Sequence, residues 1–313
     1  MKEITLGEML EGVRKDKNIS KVQLCEGVCT ITALTRYEQD IRVPDKFVID
    51  CLLERLGKNS DKIEFISTDE EFKMSMYRDR IEKKFSQGDF SEVEELLKDY
   101  ESEIHHAKNL HQQYLLFWRG RLKEIHKEYD KAHKLFQEAL ACTEREMIVQ
   151  TGIEKRLLSN IEVEIFYHFA KVYCEIEERE KAVYLLLELK EYLERLERTD
   201  EKRIRYFPKV LLELAQEEKR NYNFGLAYSY LKKAEKLAIG EYRIGDLERV
   251  LQMQLEIIEK TGASDKDKEE KQDWILALRM VNMTLKDGMI TKEGMELWES
   301  TANLQLSNIQ ENI

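Results

Sequence analysis

The apolar residues of this chain recur at helical spacing from its first turn onward. Leu6, Met9, Leu10 and Val13 fall on one face of a helix, so they predict a first helix over residues 4–16. Helical spacing of apolar residues continues along the rest of the chain, and the pattern therefore predicts an all-α protein.

Two short helices are predicted next, on either side of a glycine. Ser20 is placed to cap a helix that carries Leu24, and Gly27 ends that helix. Thr30 then caps a second helix that runs to Glu38. Two short helices meeting across such a turn are how a helix-turn-helix places its second helix in the major groove of DNA.

The second of these helices must divide its apolar residues between the core and the surface. Ile31, Leu34 and Tyr37 cannot all point outward, and the spacing of Leu34 and Tyr37 predicts that these two pack inward. After a turn, Pro44 is expected in the first turn of a fourth helix, which ends at Gly57. Four or five short helices complete a small domain, assigned to residues 1–66.

From about Glu70 the pattern changes to long amphipathic helices with short polar breaks. Gly120, Ala132, Phe136 and Ala139 take the small and aromatic positions of a tetratricopeptide repeat, where small side chains let paired helices approach. The same frame recurs over residues 166–189 and 211–234, and more weakly over 74–100. Residues 67–313 are therefore assigned to a right-handed superhelix of tetratricopeptide-like helix pairs that follows the helix-turn-helix domain.

The repeats depart from the standard length. The anchor positions Val93, Ala132, Ala182 and Ala227 lie 39, 50 and 45 residues apart, whereas a standard repeat has about 34 residues. Longer helices or loops are therefore expected. Residues 273–304 are interpreted as a final helix pair that caps the stack, and residues 264–273 as a solvated loop.

Composition agrees with a helical chain and limits where DNA could bind. Charged residues make up 36% of the 313 residues, and only two are prolines. The net charge is −11, but residues 1–65 hold 11 basic and 12 acidic residues, a net charge of −1. A near-neutral reader binds DNA weakly as a single copy, which favours a homodimer.

The five cysteines match no zinc or redox spacing and are expected to be buried thiols in a reducing cytoplasm. The alternative for Cys25 and Cys29 is a role in oxidant sensing. Because the chain has neither a long apolar run nor a signal peptide, a cytoplasmic location is expected. No cofactor and no metal site is predicted.

Four strings in the first domain carry a resemblance to a known family. They are LGEMLEGVR (6–14), LCEGVCT (24–30), LTRYE (34–38) and PDKFV (44–48). Together they resemble the lambda-repressor-like, XRE-type helix-turn-helix, in the variant found in Rgg- and PlcR-like regulators. With the repeats behind it, the whole chain resembles the Rgg–PlcR class in architecture. That resemblance implies a homodimeric transcription factor whose repeat domain binds a short signalling peptide.

Seven residues are the candidates for contact with DNA. Short side chains and Arg36 on the second helix suit base edges, and polar residues flanking the helices suit phosphates. The candidates are Ser20, Lys21, Thr30, Thr32, Ala33, Arg36 and Arg42. Glu38 is predicted instead to be a structural partner of an arginine such as Arg14.

A second set is the candidate surface for the peptide. In such a solenoid the first helix of each pair lines the groove, and aromatic, basic and amide side chains there suit an extended peptide. The candidates are Arg78, Tyr114, Phe117, Arg121, Tyr167, Lys171, Lys209 and Gln216. The alternative for each aromatic residue is a place in the core.

The sequence contains no phosphate-binding glycine loop, nucleophile elbow or histidine pair with metal spacing, and we predict that the chain is not an enzyme. Two functions remain. One is a peptide-controlled, DNA-binding transcription regulator. The other is a protein-interaction scaffold with a weak or accessory DNA-binding domain.

Overall fold

The computed structural model describes residues 5–59, 68–104, 109–143, 152–153, 156–240, 244–262 and 265–283. Every regular element in these ranges is an α-helix. The helices are α1 Leu6–Asp16, α2 Lys21–Cys25, α3 Ile31–Glu38, α4 Lys46–Arg55, α5 Asp69–Ser86, α6 Phe90–Glu103, α7 Asn109–Ile125, α8 Tyr129–Ala141, α9 Asn160–Glu175, α10 Arg179–Arg195, α11 Glu201–Arg220, α12 Phe224–Gly240, α13 Ile244–Thr261 and α14 Asp265–Met283. The all-α fold class and its helical repeats are as the sequence predicts.

The chain divides into two compact units, Met1–Arg203 and Ile204–Ile313. The first unit contains α1–α10 and the start of α11, so the helix-turn-helix and three helix pairs belong to it. The boundary expected after residue 66 falls inside this unit, outside the described residues, and stays a prediction.

The first four helices form their own small core. Leu10 of α1, Leu24 of α2, Leu34 of α3 and Leu52 of α4 are fully buried against one another. Leu34 and Tyr37 point inward, as predicted. Burial of such side chains contributes on the order of 1.5–3 kcal/mol each, which holds the short helices in a fixed arrangement.

The start of α4 differs from the prediction. Asp45 is the N-cap and accepts a hydrogen bond from the Val48 amide at 2.9 Å, so α4 begins at Lys46. Pro44 therefore precedes the cap instead of lying in the first turn, because a carboxylate is available to satisfy an amide of that turn. The end at Gly57 is confirmed, and this glycine has a φ of 69°.

In the first unit, α5 packs on α6, α7 on α8 and α9 on α10, and each pair stacks on the next. All four anchor positions, Val93, Ala132, Ala182 and Ala227, are fully buried. Gly120 is needed for this packing, because a Cβ at this position would lie 2.6 Å from the Phe136 ring. The repeat frame read from the sequence is therefore confirmed at these positions.

The turns inside the helix pairs share a left-handed residue. It is the second residue after the first helix at Gly88, Lys127, Glu177 and Tyr222, and the first residue after α13 at Gly262. In the first pair the following amide, of Asp89, donates to the Lys84 carbonyl at 3.0 Å, as in a Schellman motif. Three of the five turns accept this conformation without a glycine.

The second unit corrects the prediction for residues 264–273. From Asp265 onward these residues are the start of α14, which packs on α13. Most of the charged side chains are solvated, but Lys271 is buried and lies 2.8 Å from a Glu235 carboxylate oxygen, on the same side as Trp274 and Leu278. Those two residues belong to the partner helix of α13, so the expected start of a new helix pair at residue 273 is wrong. Gly288 and Trp298, also assigned to that pair, lie outside the described residues.

Candidate functional site

Hydroxyl side chains hold the two helices of the helix-turn-helix in place. Ser20 caps α2 by accepting from the Gln23 amide at 3.2 Å, and Thr30 caps α3 by accepting from the Ala33 amide at 3.1 Å. Gly27, with a φ of 67°, makes the turn between the helices. The predicted caps and the glycine break are confirmed.

One face of α3 is open to solvent. Thr32 and Arg36 are exposed and Ala33 is half-buried, while Leu34 and Tyr37 lie in the core. Ile31, which the prediction left out of the DNA-binding set, is 48% exposed on the first turn of α3. Its apolar character suggested a core residue, and only the packing of α3 reveals that it faces outward.

The candidates that flank the helices differ in their exposure to solvent and in their contacts within the domain. Ser20 and Arg42 are exposed. The Lys21 amine lies 3.0 Å from a Glu38 carboxylate oxygen and 3.1 Å from the Thr35 hydroxyl, so it has partners within the domain. Of the three, Lys21 must therefore leave or share its present contacts if it is to reach a phosphate.

A buried ion pair fixes the position of α3. Arg14 of α1 donates to both carboxylate oxygens of Glu38, at 2.6 and 3.1 Å, and to the Ile19 carbonyl at 3.0 Å. This confirms Glu38 as the structural partner of Arg14. Burial would raise the pKa of Glu38, but hydrogen bonds from Arg14 and Lys21 outweigh it and lower that pKa.

The end of α3 is tied to the start of α1. The turn residue Asp40, with a φ of 54°, accepts a hydrogen bond from the Gly7 amide at 3.0 Å. A Cβ at Gly7 would lie 2.5 Å from the Tyr37 carbonyl oxygen. The leucine–glycine pair at the start of α1 is thus explained by close approach of the two helices.

The helix-turn-helix also contacts the repeats of the first unit through Arg55 at the end of α4. Its guanidinium donates to the Glu162 carboxylate at 2.8 Å, and to the Leu24 and Glu26 carbonyls at 3.2 and 2.6 Å. The Arg55 and Glu162 side chains are 2% and 0% exposed. Glu162 also accepts from the Thr143 hydroxyl at 2.7 Å, so one buried carboxylate joins α4, α9 and the end of α8.

An aromatic contact lies at the other end of α4, around Phe47. The Phe47 ring meets the rings of His111 and Tyr114 edge-on, at centroid distances of 5.1 and 6.3 Å. The Arg78 guanidinium stacks over Phe47 at 4.4 Å. Arg78, predicted to face a peptide, therefore faces the helix-turn-helix in this structure.

The aromatic members of the predicted peptide set are buried. Tyr114, Phe117 and Tyr167 are 3%, 1% and 4% exposed, and the Tyr114 hydroxyl donates to the Arg78 carbonyl at 3.2 Å. Their burial matches the alternative considered for the aromatic residues, a place in the core.

Two polar members of the set, Arg121 and Lys171, come together in a cluster on the first helices of two successive pairs. We call it the α7–α9 charge cluster: Arg121 and Glu124 on α7 with Glu164, His168 and Lys171 on α9. Arg121 lies 3.1 Å from Glu124 and 3.6 Å from Glu164, and the Lys171 amine lies 3.2 Å from Glu124. Arg121 also stacks over the Phe85 ring at 4.8 Å.

Burial and opposite charge both act on this cluster. Burial and the nearby Arg121 lower the pKa of His168 to about 4, so its ring is neutral at neutral pH. Burial would raise the pKa of Glu124, but His168, Lys171 and Arg121 outweigh it and lower that pKa to about 2. The cluster thus holds two cations and two carboxylates around a neutral ring.

Lys209 and Gln216, the last two members of the peptide set, lie on α11 in the second unit. Both are half-buried, and the Lys209 amine lies 5.6 Å from the centre of the Tyr206 ring. The first helix of this pair therefore carries basic and amide groups at the predicted positions. Whether a peptide touches them stays a prediction.

Among the described residues, no group of His, Cys, Asp and Glu is arranged to hold a metal ion. The cysteines are free thiols, and burial raises the pKa of Cys29 to about 12. Since the thiolate is the reactive form, this shift disfavours oxidant sensing at Cys29. No helix in the described ranges has the length and apolar character that crossing a bilayer requires.

Comparison with solved structures assigns the fold. The crystal structure of Bacillus thuringiensis PlcR in complex with the peptide PapR7 and DNA matches 96% of this chain and 100% of its own, at 15% identity and a TM-score of 0.55. The fold is similar to that of PlcR. At this identity the likeness to PlcR concerns the fold alone.

Two further structures match less well. BtubC from P. vanneervenii matches 70% of this chain and 94% of its own, at 14% identity and a TM-score of 0.48. The apo form of the competence regulator ComR from Streptococcus vestibularis matches 96% and 97%, at 15% identity and a TM-score of 0.44. Scores this low carry no argument beyond the PlcR comparison. No protein-family model and no curated protein matches the chain.

Proposed function

We propose that this chain is a sequence-specific DNA-binding transcription regulator controlled by a short peptide. The observation that carries the proposal is the open face of α3, on a capped helix-turn-helix, in a chain that shares its fold with PlcR over 96% of its length. The PlcR structure holds both DNA and a peptide. The DNA-binding residues proposed here are Ser20, Lys21, Thr30, Thr32, Ala33, Arg36 and Arg42.

The α7–α9 charge cluster is the proposed contact for the peptide. Glu124 Oε2 lies at its centre, 3.1 Å from Arg121 Nε and 2.8 Å from His168 Nδ1. The Lys171 amine, 3.2 Å from the other Glu124 oxygen, is the more exposed member of the cluster. An extended peptide offers backbone amides and carbonyls as well as charged ends, which suits a mixed cluster.

The second candidate is a protein-interaction scaffold that uses its helix pairs to hold another protein. The buried aromatic residues of α7 and α9 favour it slightly, because they leave fewer apolar contacts for a peptide. The exposed Thr32 and Arg36 favour the regulator, since a scaffold has no use for an open reading helix. We expect a homodimer, because a near-neutral DNA-binding domain needs a second copy to bind DNA firmly. We also expect a cytoplasmic protein without enzymatic activity.

DNA binding is tested with a gel shift on the DNA upstream of the chain's own gene. Arg36→Ala should weaken specific binding about 10- to 100-fold, the range expected for one lost base or phosphate contact. The matched control is Arg80→Ala, which removes an exposed arginine of α5 that pairs with Glu92. If folded wild-type protein retards no DNA even at low salt, the regulator is refuted and the scaffold is favoured.

Peptide binding is tested by titration calorimetry with synthetic peptides encoded near the gene. Arg121→Ala should weaken binding by at least about 30-fold, as for removal of one partner from a buried charge pair. Arg119→Ala is the control on the same helix, because Arg119 is more exposed and pairs with Glu101 at 2.6 Å. Equal effects of the two substitutions would argue against a peptide contact at the cluster.

A further inference from the structure

Ile31 is an apolar side chain at the edge of the proposed reading face. It is the first residue of α3, directly after the cap Thr30, and it is 48% exposed although Leu34 and Tyr37 of the same helix are buried. Single exposed apolar residues are common on protein surfaces, so exposure alone assigns no role. What its neighbours on α3 can bind decides the matter.

The helical rotation groups Ile31 with polar residues. At about 100° per residue, Ile31, Thr32, Thr35 and Arg36 share one side of α3, and the buried residues share the other. The Thr35 hydroxyl donates to the Ile31 carbonyl at 2.8 Å and accepts from the Lys21 amine at 3.1 Å. Thr35 is therefore engaged within the domain, which leaves Ile31, Thr32 and Arg36 as the side chains turned outward.

The chemistry of the major groove narrows what Ile31 can recognise. An isoleucine side chain neither donates nor accepts hydrogen bonds, and the apolar group on a base edge in that groove is the 5-methyl of thymine. Against the polar edge of another base, Ile31 would desolvate a hydrogen-bond donor or acceptor without offering a hydrogen bond in exchange, which costs binding free energy. The same side chain thus favours thymine and disfavours the other bases.

We propose that Ile31 is a specificity-determining residue that selects thymine at one position of each half-site through contact with its 5-methyl group. The inference rests on the proposed DNA-binding function and deepens it. A second copy of the chain is the other possible occupant of this position. DNA is favoured because Ile31 is continuous with Thr32 and Arg36, whose hydroxyl and guanidinium suit base edges and phosphates.

The test removes one methyl group at a time. The full-length wild-type protein first selects its site from a random DNA library, and each thymine of that site is then replaced by deoxyuridine, which lacks only the 5-methyl. Binding is measured for wild type, Ile31→Ser and Ile41→Ser. Ile41 is the matched control, since it is an isoleucine of the same domain that is 68% exposed outside α3.

We expect deoxyuridine at one position of each half-site to weaken wild-type binding about fourfold, the ratio for loss of one buried methyl. Ile31→Ser should bind thymine and deoxyuridine equally at that position, while Ile41→Ser keeps the wild-type difference. Circular dichroism checks that both variants fold.

Three results would overturn the inference. The inference is refuted if deoxyuridine at no position weakens wild-type binding, or if Ile31→Ser keeps the thymine preference. In both cases the proposed DNA binding stands. A change in oligomeric state on Ile31→Ser with the thymine preference intact assigns the residue to a second copy of the chain. Failure of the library to yield any enriched sequence refutes the proposed function, and the inference with it.

Discussion

The contact between Arg55 and Glu162 gives the sharpest test of how the helix-turn-helix is held on the repeats. We expect Glu162→Gln to loosen it, because the amide keeps the size of the carboxylate but leaves the Arg55 charge buried without its counter-ion. Removing one partner from such a pair costs about 3–5 kcal/mol. The new amide can still accept from Arg55 and Thr143 through its oxygen, but its NH2 group would face the Ser159 amide, which now donates to the other Glu162 oxygen at 2.7 Å. We therefore expect a loss of at least about 3 kcal/mol.

The pKa shifts agree in direction. Burial would raise the pKa of Glu162, but the charge of Arg55 and hydrogen bonds from Ser159 and Thr143 outweigh it and lower that pKa. A lowered pKa means that the contact contributes stability above the ordinary carboxyl range and loses it as pH falls through the folded value. Acid should therefore mimic the substitution.

Hydrogen exchange read by mass spectrometry measures the effect locally, which matters because a chain with two compact units need not unfold in one step. A loss of about 3 kcal/mol should speed exchange of the protected α4 amides about 100-fold. Glu175→Gln, at an exposed glutamate of the same α9, should leave α4 unchanged. The paired change Arg55→Met with Glu162→Leu should restore most of the protection, because no buried charge is then left alone.

Exchange of α4 in Glu162→Gln within about threefold of wild type would refute this reasoning. It would mean that water or another group compensates Arg55, and that the contact contributes little to holding the two parts together.

Three further predictions concern stability. Gly120→Ala should destabilise the first unit by about 1–3 kcal/mol, because the new methyl would overlap the Phe136 ring, and a lower midpoint of thermal unfolding measures it. Lys127→Gly should raise the free energy of unfolding by about 0.5–1 kcal/mol, and with it the thermal midpoint, since glycine removes the left-handed strain but gains freedom when unfolded. Glu38→Gln should destabilise the helix-turn-helix by about 3 kcal/mol, and because the pKa of Glu38 is lowered, the difference from wild type should shrink as pH falls through that pKa.

Each of the three has its own control. Gly225→Ala, in a helix where the added methyl meets nothing within 4 Å, should be neutral or stabilising, so equal losses at both glycines would discredit the packing argument. A destabilised Lys127→Gly would show that the lysine side chain, not the backbone, governs the turn. Glu11→Gln, at an exposed i,i+4 pair with Lys15, controls for loss of a surface charge near Glu38.

Local signals made the helix-turn-helix predictable. Ser20 and Thr30 act as caps within three residues of the amides they bind, and the left-handed conformation of Gly27 is a local signal as well. The second reason for a glycine there is not local, because a Cβ would lie 1.9 Å from the Thr143 carbonyl oxygen. The pairing of Arg14 with Glu38 was also accessible, because a charged residue on the buried side of a short helix requires a partner. Such features depend on spacing within one small domain.

The remaining features depend on partners far apart in the chain. Nothing near Arg55 in the sequence indicates that its partner is Glu162, 107 residues away. The exposure of Ile31 and the burial of Tyr114 likewise follow from how whole helices pack, which amphipathic spacing alone does not resolve. The sequence after Asp265 does not indicate a helix for a related reason, because its charged residues precede Trp274 and Leu278, the apolar residues of its buried side.

The number of residues from the left-handed turn residue to the buried anchor of a helix pair does not depend on repeat length. In four pairs the fully buried anchor lies five residues after the left-handed residue, from Gly88 to Val93 and likewise in the three pairs that follow. The uneven spacing of the anchors therefore arises outside this segment, in the first helices and in connections such as residues 142–159. Divergent helix-pair proteins of this kind are best aligned on that fixed five-residue offset. A search for one constant period would miss repeats whose connections differ in length.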